Sequence, residues 1–508
     1  MGKITIYDGA DTIGGNKIYY EENGKGIFLD FGLNFKKMNE FYQEFLSLRA
    51  NRGIYDYIKM NLAPQLQIYR ESLIPEDLKT EYLKYQKLNV EAVLLTHAHQ
   101  DHFGLIGLLD RRIPIIASPI TIAFLKGILD CSNSKMNLEA AYCSKKEYFE
   151  NDERRIQSVR YQKLKRNFYC IDKVQDELKE YYNILFSNRN KFVDSDDFIV
   201  ESLIENSFSF NIQGYNIDHS IYGATAYIVE GSTKIAYTGD FRLHGKNRDK
   251  TEEFIQKAQD ASVLIIEGTQ AGREDFNESE DIVYENCLKV IEDNKGLVVA
   301  DFSARNFERL ELFGEIAKKT SRQLVITAKD WFLLKILEKA DSIDRTNGYR
   351  IFNELKISYG GWEKEIIKNY EEQYIDPFEI AESPENYILC FSLYDIKHLL
   401  DIKIKGGTYI YSSSEAFEDE QEFDFMRLSN WLKFLSFDII GFKEGNQGRI
   451  EFEKGFHASG HATKNDLIKT IEKIDPDIII PIHTENPEWF SENFDNVKLI
   501  KNGDSLII

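Results

Sequence analysis

The sequence predicts an α/β protein with more than one domain, and three observations carry that expectation. Its 508 residues correspond to about three domains, or two with a large insertion, at ~100–200 residues each. Hydrophobic residues make up 43% and aromatics 13%, enough to bury a sizeable core and too much for a disordered chain. In the second half, short apolar runs alternate with helical stretches, the pattern of a parallel sheet with helices on its faces.

Taken in order, residues 1–35 read as hairpin strands with Asn23-Gly24 as the turn signal. Residues 36–90 are charged and helix-rich. Val93, Leu94 and Leu95 form a buried strand, residues 96–102 the loop at its C-terminal end, and Phe103-Gly104-Leu105-Ile106 open a helix. A strand follows at 113–117. From about 125 to 205 the pattern is long, charged and helical, and residues 208–268 return to strands. Beyond 270 come a helix at 282–292, a strand at 297–300, a helix through Lys318, and strands at 324–327, 387–391 and 408–411. No internal repeat or low-complexity tract is found.

Composition excludes several classes. No apolar run reaches the ~18 residues of a membrane helix, and the N-terminus lacks the basic start and apolar stretch of a secretory signal. Five cysteines, never in a CxxC pair, suit reduced thiols in a cytoplasmic protein and argue against a cysteine zinc site. With 63 Lys+Arg against 84 Asp+Glu the net charge is −21. A nucleic-acid partner must therefore be held by a local basic groove or by metal ions.

The histidines are not scattered. Three of nine, His97, His99 and His102, lie with Asp101 inside LLTHAHQDHFG, and imidazole with carboxylate is a donor set typical of catalytic zinc sites. Three more, His457, His461 and His483, stand in FHASGH and PIHTE, and His219 stands in NIDHS. Asp240 (YTGD), Glu267 (LIIEG) and His483 each follow an apolar run in the same way as the first loop. Polar residues at the ends of successive strands can converge on one rim of a sheet. His244 and His398 are expected to be ordinary surface or core residues.

The motif HAHQDH, a lone histidine, a strand-end aspartate and a late histidine resemble the metallo-β-lactamase fold. Glu267, His461 and His483 look like motifs A, B and C of its β-CASP branch, and the nearest subgroup is the ribonuclease J-like and archaeal β-CASP ribonucleases. The resemblance runs from TIGGNKI and FLDFG to IIIPIHTE and skips roughly 125–205. It implies an αββα sandwich in residues 1–274 and 446–508, a β-CASP α/β domain at 275–445, and an additional helix-rich insertion at about 125–205. His97, His99 and His219 would bind one Zn²⁺. Asp101, His102 and His483 would bind a second, Asp240 would bridge them, and Mn²⁺ or Mg²⁺ could substitute. Asp30 matches a motif that orients the ligand loop without touching metal. His457, Ala458, Ser459, Gly460 and His461 match the segment that cradles a substrate phosphate. A histidine at motif C tilts the expectation towards RNA. The extra C-terminal domain of many bacterial members is expected to be absent, which leaves a homodimer open.

The implied activity is hydrolysis of RNA phosphodiesters, 5′→3′ exonucleolytic, endonucleolytic or both, by a hydroxide held between two metals. Bound water then ionises near pH ~7. His461, oriented by Glu267, would act at the leaving oxygen, with Asp101 beside the reacting centre. DNA, a small ester or phosphodiester, or zinc-dependent binding without catalysis are the alternatives, since a fold does not fix chemistry. Ser303 could cap the helix after it and, with Arg305, contact a phosphate across the cleft. The stretch 145–166 holds eight Lys/Arg against four acids; it could guide an RNA strand, dock a protein partner, or be a solvated helix face.

Overall fold

Strict alternation of inward and outward residues builds the first two layers. In Lys3–Asp8, Lys25–Leu29 and Val90–Leu94, one set (Ile4, Ile6, Ile27, Leu29, Ala92, Leu94) faces a second sheet, while Tyr7, Phe28 and Val93 face helices on the other side. The computed structural model describes all residues except 44, 133–134, 188, 195–199, 205–206, 274–277, 414–418 and 446–449. The first sheet has eight strands, ordered in space Val200–Ser202, Phe168–Cys170, Ile115–Ala117, Val90–Leu94, Lys25–Leu29, Lys17–Glu22, Lys3–Asp8 and Ser505–Ile507. The second has five: Asn211–Asn216, Thr225–Glu230, Lys234–Tyr237, Val263–Glu267 and Ile478–Ile482. Its outer face (Ala226, Ile228, Leu264, Ile266) packs on the helices Arg248–Lys257 and Lys464–Ile474. The result is an αββα sandwich.

A third sheet is parallel throughout. Its seven strands lie in the order Tyr374–Ile375, Arg350–Phe352, Gln323–Ile326, Tyr387–Cys390, Val298–Asp301, Gly407–Tyr411 and Phe437–Ile440. The chain leaves the second sheet at Glu267, builds this lobe, and returns at Ile478, where Glu267 pairs in register with Ile482. No helix among the described residues is long and apolar enough to cross a membrane.

Three expectations are corrected. The stretch 125–205 is not helix-rich: after the helix Pro119–Cys131 it folds as a hairpin, Tyr142–Phe149 with Asp152–Lys165, joined by Lys191–Phe192, and among the described residues adds one α-helix, Asp176–Tyr182, and a short 3-10 turn, Met136–Leu138. Two of its strands, Phe168–Cys170 and Val200–Ser202, belong to the first sheet. Charged residues mask the strand pattern, and burial of Ile156 against Gly53 overrides helical propensity. Second, the helix after the histidine loop is a single turn, Gln100–Phe103, and starts inside the motif. Third, Ser303 caps nothing: Asn306 accepts from the Arg309 amide and caps Phe307–Lys319. The Asn23-Gly24 turn is present, with φ of 51° and 75°.

Gly32, in FLDFG, lies beneath the metal loop. A Cβ there would stand 1.5 Å from the Asp101 carbonyl oxygen, so any side chain must push the 99–102 turn away. Gly32→Ala is expected to cost about 1–3 kcal/mol of stability by overpacking and to lower bound metal. Thermal melting and metal analysis check both.

Candidate metal centre

Strand ends of both sheets deliver the donors to one place. Val90–Leu94 of the first sheet leads to His97, His99, Asp101 and His102. Lys234–Tyr237 leads to Asp240, Val263–Glu267 ends at Glu267, and Ile478–Ile482 leads to His483. His483 has a φ of 53°, and its amide donates to the Gly9 carbonyl at 2.7 Å.

Asp240 lies between two donor sets, and a third grouping joins it to Glu267, His461 and His483. Nitrogens of His97, His99 and His219 form the first: His97 Nε2 is 2.9 Å and His219 Nε2 3.3 Å from His99 Nδ1. Asp101, His102, Asp240 and His483 form the second, their ligand atoms all within 4.8 Å of one another. Asp240 Oδ2 stands 3.8 Å from His97 Nε2, 3.0 Å from His102 Nε2 and 3.6 Å from His483 Nε2. It therefore reaches both sets.

The shell behind these atoms fixes their tautomers. A carbonyl only accepts, so His219 Nδ1–H donates to Gly460 O at 2.6 Å and Nε2 keeps its lone pair for the centre. His102 Nδ1 donates to Asp30 Oδ2 at 2.7 Å. Asp30, held at φ 59°, also accepts from the Thr96 amide at 2.8 Å and the Tyr237 hydroxyl at 2.6 Å. Thr269 Oγ1 lies 2.9 Å from His483 Nδ1. Asp30 thus braces the ligand loop and its donor His102 from behind, through the ring nitrogen that faces away from the centre.

The donors suit divalent metal ions on their own evidence. His102 Nε2 and Asp240 Oδ1 are buried without a hydrogen-bond partner, which is costly unless a cation satisfies them. Burial and the neighbouring imidazoles hold His97 and His99 well below the usual histidine value, and His219 is pushed down to about 4 by burial and His461. All three are neutral, as ligands must be. Burial opposes charge on His102, but Asp240, Asp101 and Asp30 outweigh it and raise its value well above normal. Burial likewise opposes charge on Asp101 and Asp240, and His102 and His483 more than offset it. Metal binding would displace that shared proton charge.

Beside the centre, His461 Nδ1 lies 3.1 Å from both carboxylate oxygens of Glu267 and 3.9 Å from Asp240 Oδ2. Burial opposes its charge, yet Glu267 and Asp240 raise it to about 9, and Glu267 is lowered in return. In the metal-free protein, the histidine half of this pair stabilises fully below ~6.5 and fades as pH rises through about 9. The carboxylate half fades as pH falls below its ordinary range. The melting-temperature gap between wild type and Glu267→Gln is therefore expected to be widest between about pH 4.5 and 6.5, to narrow as pH rises further and to close above about pH 9; melts of metal-free protein across pH measure it.

The expected phosphate cradle is mostly scaffold. His457 directs Nδ1 to Ser413 O (2.8 Å) and Nε2 to Gly441 O (2.7 Å), and Ala458 is buried. Gly460 orients His219, and Ser459 Oγ accepts from the His461 amide at 3.0 Å. Ser303 Oγ lies 2.7 Å from Ser413 Oγ in a cavity of about 200 Å³ bordered by Asp301, Phe302 and Tyr411. That cavity opens at the C-terminal ends of the central parallel strands, the usual ligand edge of such sheets. Arg305, at φ 72°, reaches across from the third-sheet lobe and donates to the Ala98 carbonyl at 3.1 Å, between His97 and His99. In the 145–166 stretch, Arg166 is buried and donates to the carbonyls of Ile106, Leu109, Asp110 and Ile113.

Sequence reasoning missed the supporting residues Thr96, Tyr237, Thr269 and Arg242. It also left His244 unassigned, which lies 2.8 Å by Nε2 from the Ser459 carbonyl. Position was the available signal: Thr96 adjoins His97, and Arg242 follows Asp240 by two.

Comparison with known proteins adds to this geometry. The metallo-beta-lactamase superfamily matches residues 71–121, and the Zn-dependent metallo-hydrolase RNA specificity domain matches residues 449–494. Ribonuclease J of Mycoplasma genitalium is 24% identical over 413 residues, covering 80% of this chain and 59% of the relative. Ribonuclease J of Pyrococcus abyssi is 21% identical over 504 residues, covering 96% and 90%. The chain thus spans about three fifths of the length of the mycoplasma relatives. A crystal structure from Enterococcus faecalis V583, described as a protein of unknown function, superposes with TM-score 0.65 at 21% identity over the whole of both chains. At that identity the likeness speaks for the fold.

Proposed function

From the premise that this chain is a metallo-β-lactamase-fold protein of the ribonuclease J-like β-CASP kind, we propose that it hydrolyses RNA phosphodiester bonds with a pair of zinc ions. The observation that carries the reading is the Asp240 carboxylate within 3.8 Å of imidazoles from both donor sets, beside an imidazole held by its own carboxylate. His97, His99 and His219 would hold one ion, Asp101, His102 and His483 the other, with Asp240 shared. Bound there, such ions supply a strong nucleophile at neutral pH and relieve charge on the phosphoryl group.

The chain's own residues do the rest. Glu267 fixes the His461 ring by its Nδ1–H, which leaves Nε2 to give a proton to the leaving oxygen. Asp101 Oδ2 and His483 Nε2, 3.2 Å apart, would meet on the same ion, while Thr269 Oγ1 at His483 Nδ1 orients that ring. Arg305 and the Ser303–Ser413 pair lie on the opposite lobe, where a phosphate or ribose of the same strand would pass. Positive charge at the centre concentrates phosphate there although the whole chain is acidic. The described cysteines are all free thiols, which suits a reducing cytoplasm.

A time course on end-labelled RNA and DNA of one sequence, with and without a 5′-phosphate, tests the reading. RNA is expected to be cut and DNA spared. Metal-loaded protein that leaves RNA intact, or prefers DNA or a generic ester, overturns it. Mononucleotides from 5′-phosphorylated ends mark exonuclease action, and internal fragments mark endonuclease action.

A further inference from the structure

A buried ring of charges ties the third-sheet lobe to the metal centre, and Arg242 is its hub. Arg242 is fully buried, and its Nε donates to Asp218 Oδ1 at 2.9 Å. Nη1 donates to Glu280 Oε1 at 2.9 Å and to the Ser459 carbonyl at 3.3 Å, and Nη2 lies 3.0 Å from Glu308 Oε2. These partners come from four segments. Asp218 precedes His219, and its other oxygen accepts from the Asn247 amide. Glu280 and Glu308 begin the helices Glu280–Asp293 and Phe307–Lys319, which flank the third sheet. Ser459 lies in the segment that carries His461.

The ring closes on the same segment from the other side. Arg309 pairs with both oxygens of Glu280 at 2.9 and 3.0 Å and donates to Ser412 Oγ at 2.5 Å. Ser412 Oγ donates to the Phe456 carbonyl at 2.6 Å. The carbonyls of Phe456 and Ser459 are therefore held, one through Ser412 and one directly, by arginines that share the Glu280 carboxylate. Two guanidiniums and three carboxylates, all buried, carry a desolvation cost that hydrophobic residues would avoid. What such a network provides is fixed geometry, because a forked guanidinium meets several acceptors in one plane.

We propose that Arg242 is a positioning residue that sets His461 against His219 and couples that setting to the seating of the third-sheet lobe. Its two links do different jobs. Through Asp218 it fixes the backbone before His219. Through Ser459 it fixes the backbone before Gly460, whose carbonyl orients His219, and before His461. The inference rests on the RNA-hydrolysis reading for its kinetic readout only.

The test uses the full-length metal-loaded protein with Arg242→Lys, which keeps the charge and loses the fork. Turnover on RNA is expected to fall about 10–100-fold, the magnitude usual for shell residues behind a metal site. KM and bound metal should stay within about threefold of wild type. Amide exchange read by mass spectrometry should quicken at least tenfold in peptides 216–222 and 456–462 and stay unchanged in 17–29. Glu308→Gln should act in the same direction more weakly, and the double variant should be no worse than Arg242→Lys alone, since both act through one link. Wild-type turnover with unchanged exchange in those two peptides overturns the proposal, as does a loss explained by missing metal. If Arg242→Lys does not fold, Glu308→Gln decides by the same readings. If wild type has no activity on RNA, the function reading fails, and the exchange pattern alone decides the role of Arg242.

Discussion

Asp240→Ala is expected to abolish the proposed RNA hydrolysis and to lower bound metal. Asp240 is the one carboxylate within 4 Å of imidazoles from both donor sets among the described residues, so its loss removes a donor from each. A single general acid is worth roughly 10²–10⁴ in rate. Losing nucleophile and charge clamp together should exceed the top of that range. The same substitution also removes the counter-charge of buried His102, whose raised value depends first among its neighbours on Asp240. Metal analysis of the purified variant, followed by single-turnover cleavage, makes the measurement. Metal-depleted Asp240→Ala protein that still cuts RNA would sink the two-metal reading.

His461→Ala separates chemistry from ligation. The ring touches Glu267 and approaches Asp240; its Nδ1 is committed to Glu267, and it lies outside the His97–His99–His219 and Asp101–His102–Asp240–His483 sets although it stands close to Asp240 and His483. Bound metal is therefore expected to stay at the wild-type level while turnover drops by ~10²–10⁴. Glu267→Gln should lose less, because the ring remains but its preferred tautomer and its raised proton affinity do not. Equal turnover in wild type and His461→Ala would remove this histidine from the reaction.

The site was more legible in the sequence than the fold around it. His97 to His102 lie in one loop, so their crowding is visible without coordinates. Asp240, Glu267 and His483 were legible because each ends an apolar run, and strand ends of neighbouring strands meet. The hairpin at 142–165 was not legible: Lys, Arg and Glu dominate it, and its few buried side chains (Tyr142, Cys143, Ser144 and Ile156) are fixed by tertiary contacts. Ser303 reads as a helix cap because the local pattern fits, yet the helix begins three residues later, on Asn306. Arg242 was invisible for a related reason. A single arginine after an aspartate carries no periodicity, and its meaning lies in three acids that are distant along the chain.

The strands Val263–Glu267 and Ile478–Ile482 are neighbours in register, yet the whole third sheet is threaded between them. The candidate metal centre is thus finished by a donor that leaves the ribosome after every other one. Until His483 has been made, a nascent chain still joined to its own message carries an incomplete donor set, so the proposed RNA hydrolysis could not reach the template that encodes it.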